Sequence, residues 1–378
     1  MIKVLNVITD TNIGGAGRIL VHYLKNFDRE KFDVCVAVPE GSLLIPEIRA
    51  VGYDVIETKY GKDESFELPA VRELYGIIKR LSPDIVHTHS SLSARVAAYL
   101  AGVKSRIYTR HCAYDLPRSA TSFPKKQISG LVNNTLSTKI IAVAPAAAKN
   151  LTDTGVDPKK ITVIMNGVEP VREADGAELL ALREKYGLSD TDFVCSICAR
   201  LEDVKGHEYL IKAAKIIAEK TKNIKFLIVG TGSIEAELHE LANRLGVSDT
   251  VIFTGFMSDT APVLGVSNIA VNCSWGTEAS SLAIAEAMSL GLPTVASDFG
   301  GNPSVIGDGV NGILYEKKNE AALAEAILRV WSDKALYAEL CEGARRVFYE
   351  KFTSGVMTRS LEAVYTAEAE RTRADGKA

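Results

Sequence analysis

The sequence contains no long run of apolar residues among its 378 positions. Its longest apolar stretch, at 140–148, includes a proline and is far shorter than the roughly 20 residues of a membrane-spanning helix. The first eight residues, which we interpret as a strand, are too short for the apolar part of a signal peptide, and no small-residue cleavage site follows. We therefore expect a cytoplasmic protein.

Cysteine is also scarce, with six residues in the chain. Cys35, Cys273 and Cys341 stand in apolar contexts, which favours buried thiols in a reducing compartment over a disulfide framework. Cys195 and Cys198 have CxxC spacing, but they lie within a predicted strand, so their side chains should point to opposite faces and pack in the core. We predict neither a redox site nor a zinc site.

Neither glycine, proline nor charge is in excess, at 29 Gly, 12 Pro and 24% charged residues. This composition excludes a disordered or collagen-like chain. At about 150 residues per domain, the length predicts two domains, each with its own core.

Short β-branched runs alternate with helical segments twice over, which predicts the α/β class with two doubly wound parallel sheets, each Rossmann-like. Predicted strands are 3–8, 33–38, 54–56, 85–87, 106–109 and 139–143 in the first half, and 193–199, 224–229, 251–253, 269–272 and 293–296 in the second. We assign the domains to 1–168 and 193–353, with the polar stretch 169–192 as a linker. Ligands of such sheets bind at the carboxyl ends of the strands, here in a cleft that both domains face.

Several helices are also predicted from apolar periodicity, at 68–81, 320–331, 334–349 and about 354–369. The tail from Glu370 onwards is polar and is expected to fray.

The strongest functional signal is the segment E-A-S-S-L-A-I-A-E-A-M that begins at Glu278. A helix is predicted to start near Ser280 and Ser281, where free N–H groups attract an anion. Glu278 precedes this helix, and Glu286 lies two turns inside it among apolar residues, where a carboxylate needs a partner such as a sugar or ribose hydroxyl. Taken alone, the segment also fits a helix with two solvated glutamates.

A second signal is the pair Arg200 and Lys205, which flank the loop after the first strand of the second domain. Two cations beside the N-terminus of the next helix, near His207, favour a phosphate site. A third signal is the glycine loop after the first strand, where Gly14 and Gly15 let the backbone approach a ligand closely. This loop lacks the G-x-G-x-x-G register, which argues against an NAD-dependent enzyme.

Histidines lie at the carboxyl ends of two strands of the first domain, with His87 and His89 at one and His111 at the other. His87 and His89 could imitate a metal-binding pair, but no third ligand is evident, so no metal is predicted. The turn Asn166-Gly167-Val168 closes the first domain.

Together, these motifs resemble one family: the two glutamates with seven residues between them, Arg200 with Lys205-Gly206, Asn166-Gly167-Val168 and Gly14-Gly15. From residue 14 to about 353 the chain resembles the retaining GT-B glycosyltransferases of family 4, also called glycosyl transferases group 1. The resemblance implies a GT-B fold and transfer of a sugar from a nucleotide-diphosphate sugar to a polysaccharide, glycolipid or other cell-surface glycoconjugate.

The resemblance also implies roles for individual residues. The donor diphosphate would meet Arg200, Lys205 and the N–H groups of Ser280, Ser281 and Leu282, while Gly14 and Gly15 would border the diphosphate and the acceptor. Glu286 would bind the ribose, Glu278 the transferred sugar, and Phe256 and Met257 would lie beside the base. His111 would lie near the anomeric carbon. The catalytic set is therefore Glu278, His111, Arg200 and Lys205.

No cofactor or metal is expected, because fixed cations and amides can stabilise the leaving diphosphate of a UDP- or GDP-linked sugar. The C-terminal helix would cross back to the first domain. Departures from the family pattern at Gly17, Ser304 and 279–281 concern the acceptor side and the choice of sugar. The sequence leaves two other hypotheses about the function open: a nucleotide-sugar epimerase on the same fold, and a non-catalytic nucleotide-sugar-binding protein.

The segment 104–152 is strongly basic, with eight Lys or Arg residues against the single acid Asp115, whereas the whole chain has a net charge of −3. A solvated basic face would explain this charge. The alternative is an anionic or lipid-linked acceptor at the inner face of the cell membrane, where Phe123-Pro124 beside Lys125-Lys126 would add an apolar contact. Nucleic acid is not expected, because no binding motif is present.

Overall fold

The computed structural model describes residues 1–375, and the chain forms two compact units. The first unit comprises residues 1–168 together with the segment that starts at Ser354, and the second comprises Glu169–Thr353. Within residues 1–375, no helix is long and apolar enough to cross a membrane.

The first unit is built on a seven-stranded parallel sheet with the order β3-β2-β1-β4-β5-β6-β7. Its strands are β1 (Ile2–Ile8), β2 (Phe32–Pro39), β3 (Asp54–Thr58), β4 (Ile85–His89), β5 (Ser105–Arg110), β6 (Lys139–Ala142) and β7 (Ile161–Val163). Its helices in this part of the chain are α1 (Gly15–Asn26), α2 (Leu44–Ala50), α3 (Leu68–Leu81), α4 (Leu92–Leu100), α5 (Lys125–Leu136) and α6 (Pro145–Asp153). The predicted α/β class with parallel sheets is confirmed here.

The second unit repeats the plan with a six-stranded parallel sheet in the order β10-β9-β8-β11-β12-β13. Its strands are β8 (Phe193–Cys198), β9 (Ile224–Val229), β10 (Val251–Gly255), β11 (Ile269–Asn272), β12 (Thr294–Ser297) and β13 (Gly312–Tyr315). Its helices are α7 (Gly176–Tyr186), α8 (His207–Ala218), α9 (Glu235–Leu245), α10 (Ala261–Val266), α11 (Leu282–Ser289), α12 (Asn302–Val305), α13 (Glu320–Ser332) and α14 (Lys334–Val347).

The stretch 169–192, which we interpreted as a linker, contains helix α7 and belongs to the second unit. Asp175 accepts a hydrogen bond from the Glu178 N–H, and the Glu178 carboxylate accepts one from the Asp175 N–H, each at 2.9 Å. Gly187, with a φ of 62°, ends the helix, and Leu182 packs in the core of this unit. The polar composition reflects an exposed helix with a capping box.

The CxxC pair lies in β8 with its side chains on opposite faces of the sheet, as predicted. Cys195 packs with Ile197 and Leu210 in one cluster, whereas Cys198 packs beside Val194 on the other side. Burial raises the pKa of both thiols, that of Cys198 to about 12, so neither cysteine is placed for redox chemistry.

The last helix, α15 (Ser354–Asp375), is part of the first unit and extends six residues beyond the predicted end at 369. The Tyr365 ring stacks on Phe27, at a centroid distance of 5.7 Å, and meets the edge of Phe32. The Glu368 carboxylate accepts hydrogen bonds from Thr138 at 2.8 Å and Ser105 at 3.1 Å. The tail that we expected to fray is thus helical through its first residues, and its part after 375 lies outside the described residues.

Candidate active site

In the second unit, the loop after β8 carries the predicted cations. Arg200 is exposed, and a 3-10 turn at Asp203–Lys205 brings Lys205 back towards the sheet. Gly206 follows with a φ of 70°, and a Cβ there would lie 2.2 Å from the Cys273 carbonyl oxygen. Only glycine fits this conformation and this close approach, so the loops after β8 and β11 are held together by backbone contact.

The loop after β11 places Glu278 against Lys205. The Lys205 ammonium lies 2.9 Å from the Glu278 Oε2, with the two side chains 19% and 9% exposed. The same carboxylate oxygen accepts a hydrogen bond from the Ser274 hydroxyl at 2.9 Å. The structure therefore joins two of the predicted catalytic residues in one shielded ion pair.

Helix α11 begins beside this pair, with Ser281 as its N-cap. The Ser281 hydroxyl accepts from the Ile284 N–H at 3.4 Å and from the Asn272 side-chain amide at 3.1 Å. Ser280 stands just outside the helix and Leu282 is its first residue, one or two positions later than predicted. The N-terminal N–H groups of an α-helix carry partial positive charge, as the prediction requires.

Polar residues that the sequence analysis missed lie beneath this loop. Asn272 is buried at the end of β11, and its side-chain oxygen is 3.3 Å from the Asn302 amide. The Asn302 amide also donates to the Ser297 carbonyl at 3.1 Å. Asn272 is a polar residue at the carboxyl end of a buried, otherwise apolar strand, and this position is the signal that could have revealed it.

A glycine pair supports the loop from the other side. Gly300 has a φ of 61°, and a Cβ there would lie 2.1 Å from the Glu278 carbonyl oxygen. A Cβ on Gly301 would lie 1.5 Å from the carbonyl oxygen of Ala279, and the Gly301 N–H donates to the Glu278 carbonyl at 3.0 Å. The backbone around Glu278 is therefore fixed by neighbours that tolerate no side chain.

Glu286 is the fifth residue of α11, just over one turn inside, and it lies close enough to the end of β8 that its charge adds to burial in raising the pKa of the Cys198 thiol. Phe256 and Met257 follow β10, two strands away from β8 in the sheet order. Phe256 is 68% exposed, which leaves an apolar ring at the carboxyl end of the sheet. All predicted donor-binding residues of this unit thus follow the carboxyl ends of strands or lie on α11.

In the first unit, Gly14 is the N-cap of α1 and Gly15 its first residue. Both are exposed, and a Cβ on Gly15 would meet no atom within 4 Å. Packing within the unit does not require glycine at position 15. Gly17 differs, because a Cβ there would lie 2.6 Å from the Leu44 side chain.

His111 is joined to the two histidines of β4 in what we call the histidine cluster, made of His87, His89 and His111. His111 Nε2 lies 2.9 Å from His89 Nδ1, and the His87 and His89 rings are 4.4 Å apart. His89 Nε2 lies 3.1 Å from the Tyr23 hydroxyl, and His87 Nε2 lies 2.6 Å from the Thr109 hydroxyl. The sequence did not indicate that His111 and His89 are in contact.

Burial lowers the pKa of His87 to about 3 and that of His111 to about 4, and it lowers the pKa of His89 well below its usual value. The three imidazoles are therefore neutral at physiological pH. Both ring nitrogens of His87 have partners in the protein, since its Nδ1 lies 2.6 Å from the Tyr365 hydroxyl. Within residues 1–375, no group of three His, Cys, Asp or Glu residues could hold a metal ion.

Two family models match the chain. The model described as Glycosyltransferase Family 4 matches residues 13–172, and the model described as Glycosyl transferases group 1 matches residues 180–347. The chain is also 28% identical over 350 residues to the UDP-Gal:alpha-D-GlcNAc-diphosphoundecaprenol alpha-1,3-galactosyltransferase of Escherichia coli, with 89% of each chain covered. It is 25% identical to the N-acetyl-alpha-D-glucosaminyl L-malate synthase of Bacillus anthracis, with 79% of each covered.

Among solved structures, Anabaena Alr3699/HepE in complex with UDP-glucose matches with a TM-score of 0.81 at 20% identity, covering 97% of this chain and 100% of that one. The two parallel-sheet units and this likeness define a protein of the GT-B fold. With the two family matches, the prediction of a glycosyltransferase is confirmed. The chain belongs to the family 4 glycosyltransferases, the glycosyl transferases group 1.

Proposed function

We propose that the protein is a retaining glycosyltransferase that moves a sugar from a nucleotide-diphosphate sugar to a polysaccharide, glycolipid or other cell-surface glycoconjugate. The bond between the anomeric carbon and the diphosphate breaks, and an acceptor hydroxyl forms the new bond with loss of its proton. The observation that carries the proposal is the Lys205–Glu278 pair beside the N-terminus of α11. The E. coli relative, which is named for a UDP-sugar, supports a donor of this class.

The leaving diphosphate is proposed to bind Arg200, Lys205 and the N–H groups of Ser280, Ser281 and Leu282. Fixed cations and amides that face a developing negative charge are worth several kcal/mol in a shielded site. The Lys205 ammonium is already held by Glu278, so it needs little reorganisation. The exposed Arg200 is free to close on the diphosphate after the donor binds.

The two glutamates are proposed to have separate roles. Glu278 contacts hydroxyls of the transferred sugar through the carboxylate that also holds Lys205, while Glu286, deeper in α11, binds the ribose hydroxyls. Phe256 and Met257 contact the base, with the exposed Phe256 ring supporting this role. His111 acts near the anomeric carbon, and Gly14 and Gly15 border the diphosphate and the acceptor. The neutral state of His111 suits hydrogen bonding to a sugar hydroxyl.

We also propose that catalysis needs no metal ion and no resident cofactor, since cations and helix N–H groups supply the positive charge. Turnover should be unchanged by EDTA. Activity that EDTA abolishes and that magnesium or manganese restores would contradict this part of the proposal.

The acceptor is proposed to be anionic or lipid-linked, with peripheral contact at the inner face of the cell membrane. Support comes from the basic segment 104–152, and the E. coli relative is named for a diphosphoundecaprenol compound. Phe123 is 80% exposed beside Lys125, as a membrane contact requires.

The decisive experiment is incubation with a panel of UDP- and GDP-linked sugars. We expect slow release of UDP or GDP from one donor, because water replaces the absent acceptor. Conversion of one nucleotide sugar into another would indicate an epimerase, and binding without any release would indicate a non-catalytic protein. Nuclear magnetic resonance of the product's anomeric proton then distinguishes retention from inversion.

A further inference from the structure

We propose that a cavity in the first unit, between α4, α5 and α6, binds a diphosphate group linked to an apolar chain. This inference rests on the proposed function, because the ligand would be the lipid-linked acceptor. The cavity has a volume of about 300 Å³, and the cations Arg95, Arg110 and Lys125 line it. A site of this volume lies at the lower end of the range for small-molecule ligands.

The two guanidinium groups at this cavity lack acidic partners. Arg95 is 8% exposed, and it donates to the Asn133 side-chain oxygen at 2.6 Å, with its guanidinium 4.3 Å from the centre of the Tyr108 ring. Its Nε is buried with no hydrogen-bond partner. Within residues 1–375, no carboxylate comes within ion-pair distance of Arg95 or Arg110.

Arg110 donates to the Cys112 carbonyl at 3.2 Å and the Tyr114 hydroxyl at 2.7 Å, and it also interacts with the Tyr108 side chain; all three groups are neutral at physiological pH. Burial lowers the pKa of Arg95, and the nearby charge of Arg110 lowers it further. Arg95 is buried and Arg110 half-buried. Buried charges are normally paired, so an unpaired guanidinium with a second one beside the same cavity indicates that an anion compensates them. Arginine binds phosphate oxygens through two parallel N–H groups. A diphosphate carries more negative charge than a single carboxylate and is therefore the better match for three cations.

The apolar part of the ligand follows from helix α5. Lys125, Ile128 and Leu131 are spaced three residues apart and are therefore neighbours on the helix surface. Ile128 is 59% exposed and Leu131 69% exposed, so an apolar row leads away from the cation at the cavity. A phosphate without a lipid would leave this row unexplained, whereas an isoprenoid or acyl chain would cover it.

The first test is calorimetry of the full chain with inorganic pyrophosphate, with and without saturating UDP. Arg95 packs on Tyr108 and supports α4, so the test uses Arg110→Gln and Lys125→Gln instead. Each should weaken pyrophosphate binding about tenfold, the scale of a lost charge-assisted hydrogen bond. Lys104→Gln removes the same charge from an exposed position before β5 and should leave binding unchanged. Equal affinities in all variants, or binding that UDP abolishes, would overturn the proposal.

The second test replaces pyrophosphate by farnesyl diphosphate. We expect at least tenfold tighter binding, and Ile128→Ser with Leu131→Ser should remove this gain without affecting pyrophosphate. If the two ligands bind equally, the ligand is a soluble diphosphate and the lipid part is wrong.

Vesicles of phosphatidylglycerol distinguish the cavity from general attraction to an anionic bilayer, with phosphatidylcholine vesicles as the neutral comparison. The cavity site would be overturned if the protein bound neither diphosphate and vesicle binding persisted in Arg110→Gln. Farnesyl diphosphate would then also fail to compete with the vesicles. Nucleotide release by the wild-type protein without acceptor tests the proposed function alone. Its absence with every UDP- and GDP-linked sugar would contradict the proposed donor class while leaving the pyrophosphate result intact.

Discussion

Replacing Lys205 by methionine should destabilise the second unit far more than the loss of a surface ion pair. The Lys205–Glu278 pair is 19% and 9% exposed, and the variant leaves the Glu278 carboxylate with the Ser274 hydroxyl and the more distant Asn272 amide as partners. Breaking a fully buried pair costs about 3–5 kcal/mol, and breaking an exposed one about 0.2–1 kcal/mol. Because Lys205 keeps some contact with water, we expect about 2–3 kcal/mol.

The chain offers a matched control in the same unit. Lys212 pairs with Glu208 at 2.8 Å, but these side chains are 35% and 34% exposed, so Lys212→Met should cost about 0.3–0.5 kcal/mol. For a unit of this size, 1 kcal/mol shifts Tm by roughly 2–4 °C. Scanning calorimetry should therefore show a fall of about 5–10 °C for Lys205→Met and less than about 2 °C for the control.

A double-mutant cycle with Glu278→Gln isolates the interaction itself. Since the two charges are in direct contact, we expect the double variant to be more stable than the sum of the single effects, with a coupling of about 1.5 kcal/mol or more. If Lys205→Met costs no more than Lys212→Met, or if the coupling is absent, the pair is not shielded as described.

Three further predictions follow from the two units. Arg200→Ala should lower the rate of nucleotide release at least about 100-fold with Tm unchanged, because Arg200 is exposed; a near-normal rate would contradict its role at the diphosphate. Glu286→Ala should weaken UDP binding in calorimetry, whereas Glu278→Ala should mainly lower turnover; equal losses of affinity would mean that the roles are wrongly divided. The histidine cluster binds fewer protons in the folded than in the unfolded protein, because burial lowers its pKa values. The free energy of unfolding should therefore decrease as the pH is lowered from about 6.5 to about 4, by up to about 1.4 kcal/mol per pH unit per histidine. Urea titrations should show this slope reduced in His89→Gln, and an unchanged slope would contradict the lowered pKa values.

The central strands of both sheets could be predicted from the sequence, but the last strand of each sheet, β7 or β13, could not. Strands β1 and β9 consist mostly of β-branched and other apolar residues, which favours strands buried on both faces. Strands β7 and β13 lie at sheet edges: β7 has three residues, none of them fully buried, and β13 begins with a glycine, so neither has the apolar run that marks the inner strands. Helix α7 was missed although Asp175 and Glu178 form a capping box that the sequence shows.

The residues of the candidate site were predicted from the order and spacing of their motifs along the chain. The contacts between these residues were not predicted. Lys205 and Glu278 are 73 positions apart, so their ion pair depends on β8 and β11 being neighbours in the sheet. The contact between His89 and His111 similarly depends on the pairing of β4 with β5. Arg95 was not singled out, because a single arginine on a helix ordinarily lies in solvent.

Helix α15 imposes an order on the maturation of the nascent chain. The second unit is contiguous in sequence and leaves the ribosome before α15, whereas the aromatic core around Phe27 and Phe32 lacks Tyr365 until α15 has been synthesised. The first unit begins to be synthesised before the second, but it can complete its core only after the second unit has been synthesised. This order differs from the usual one, in which the N-terminal domain folds first. A premature stop after residue 353 would yield a complete second unit attached to a first unit whose aromatic core remains open to chaperones and proteases.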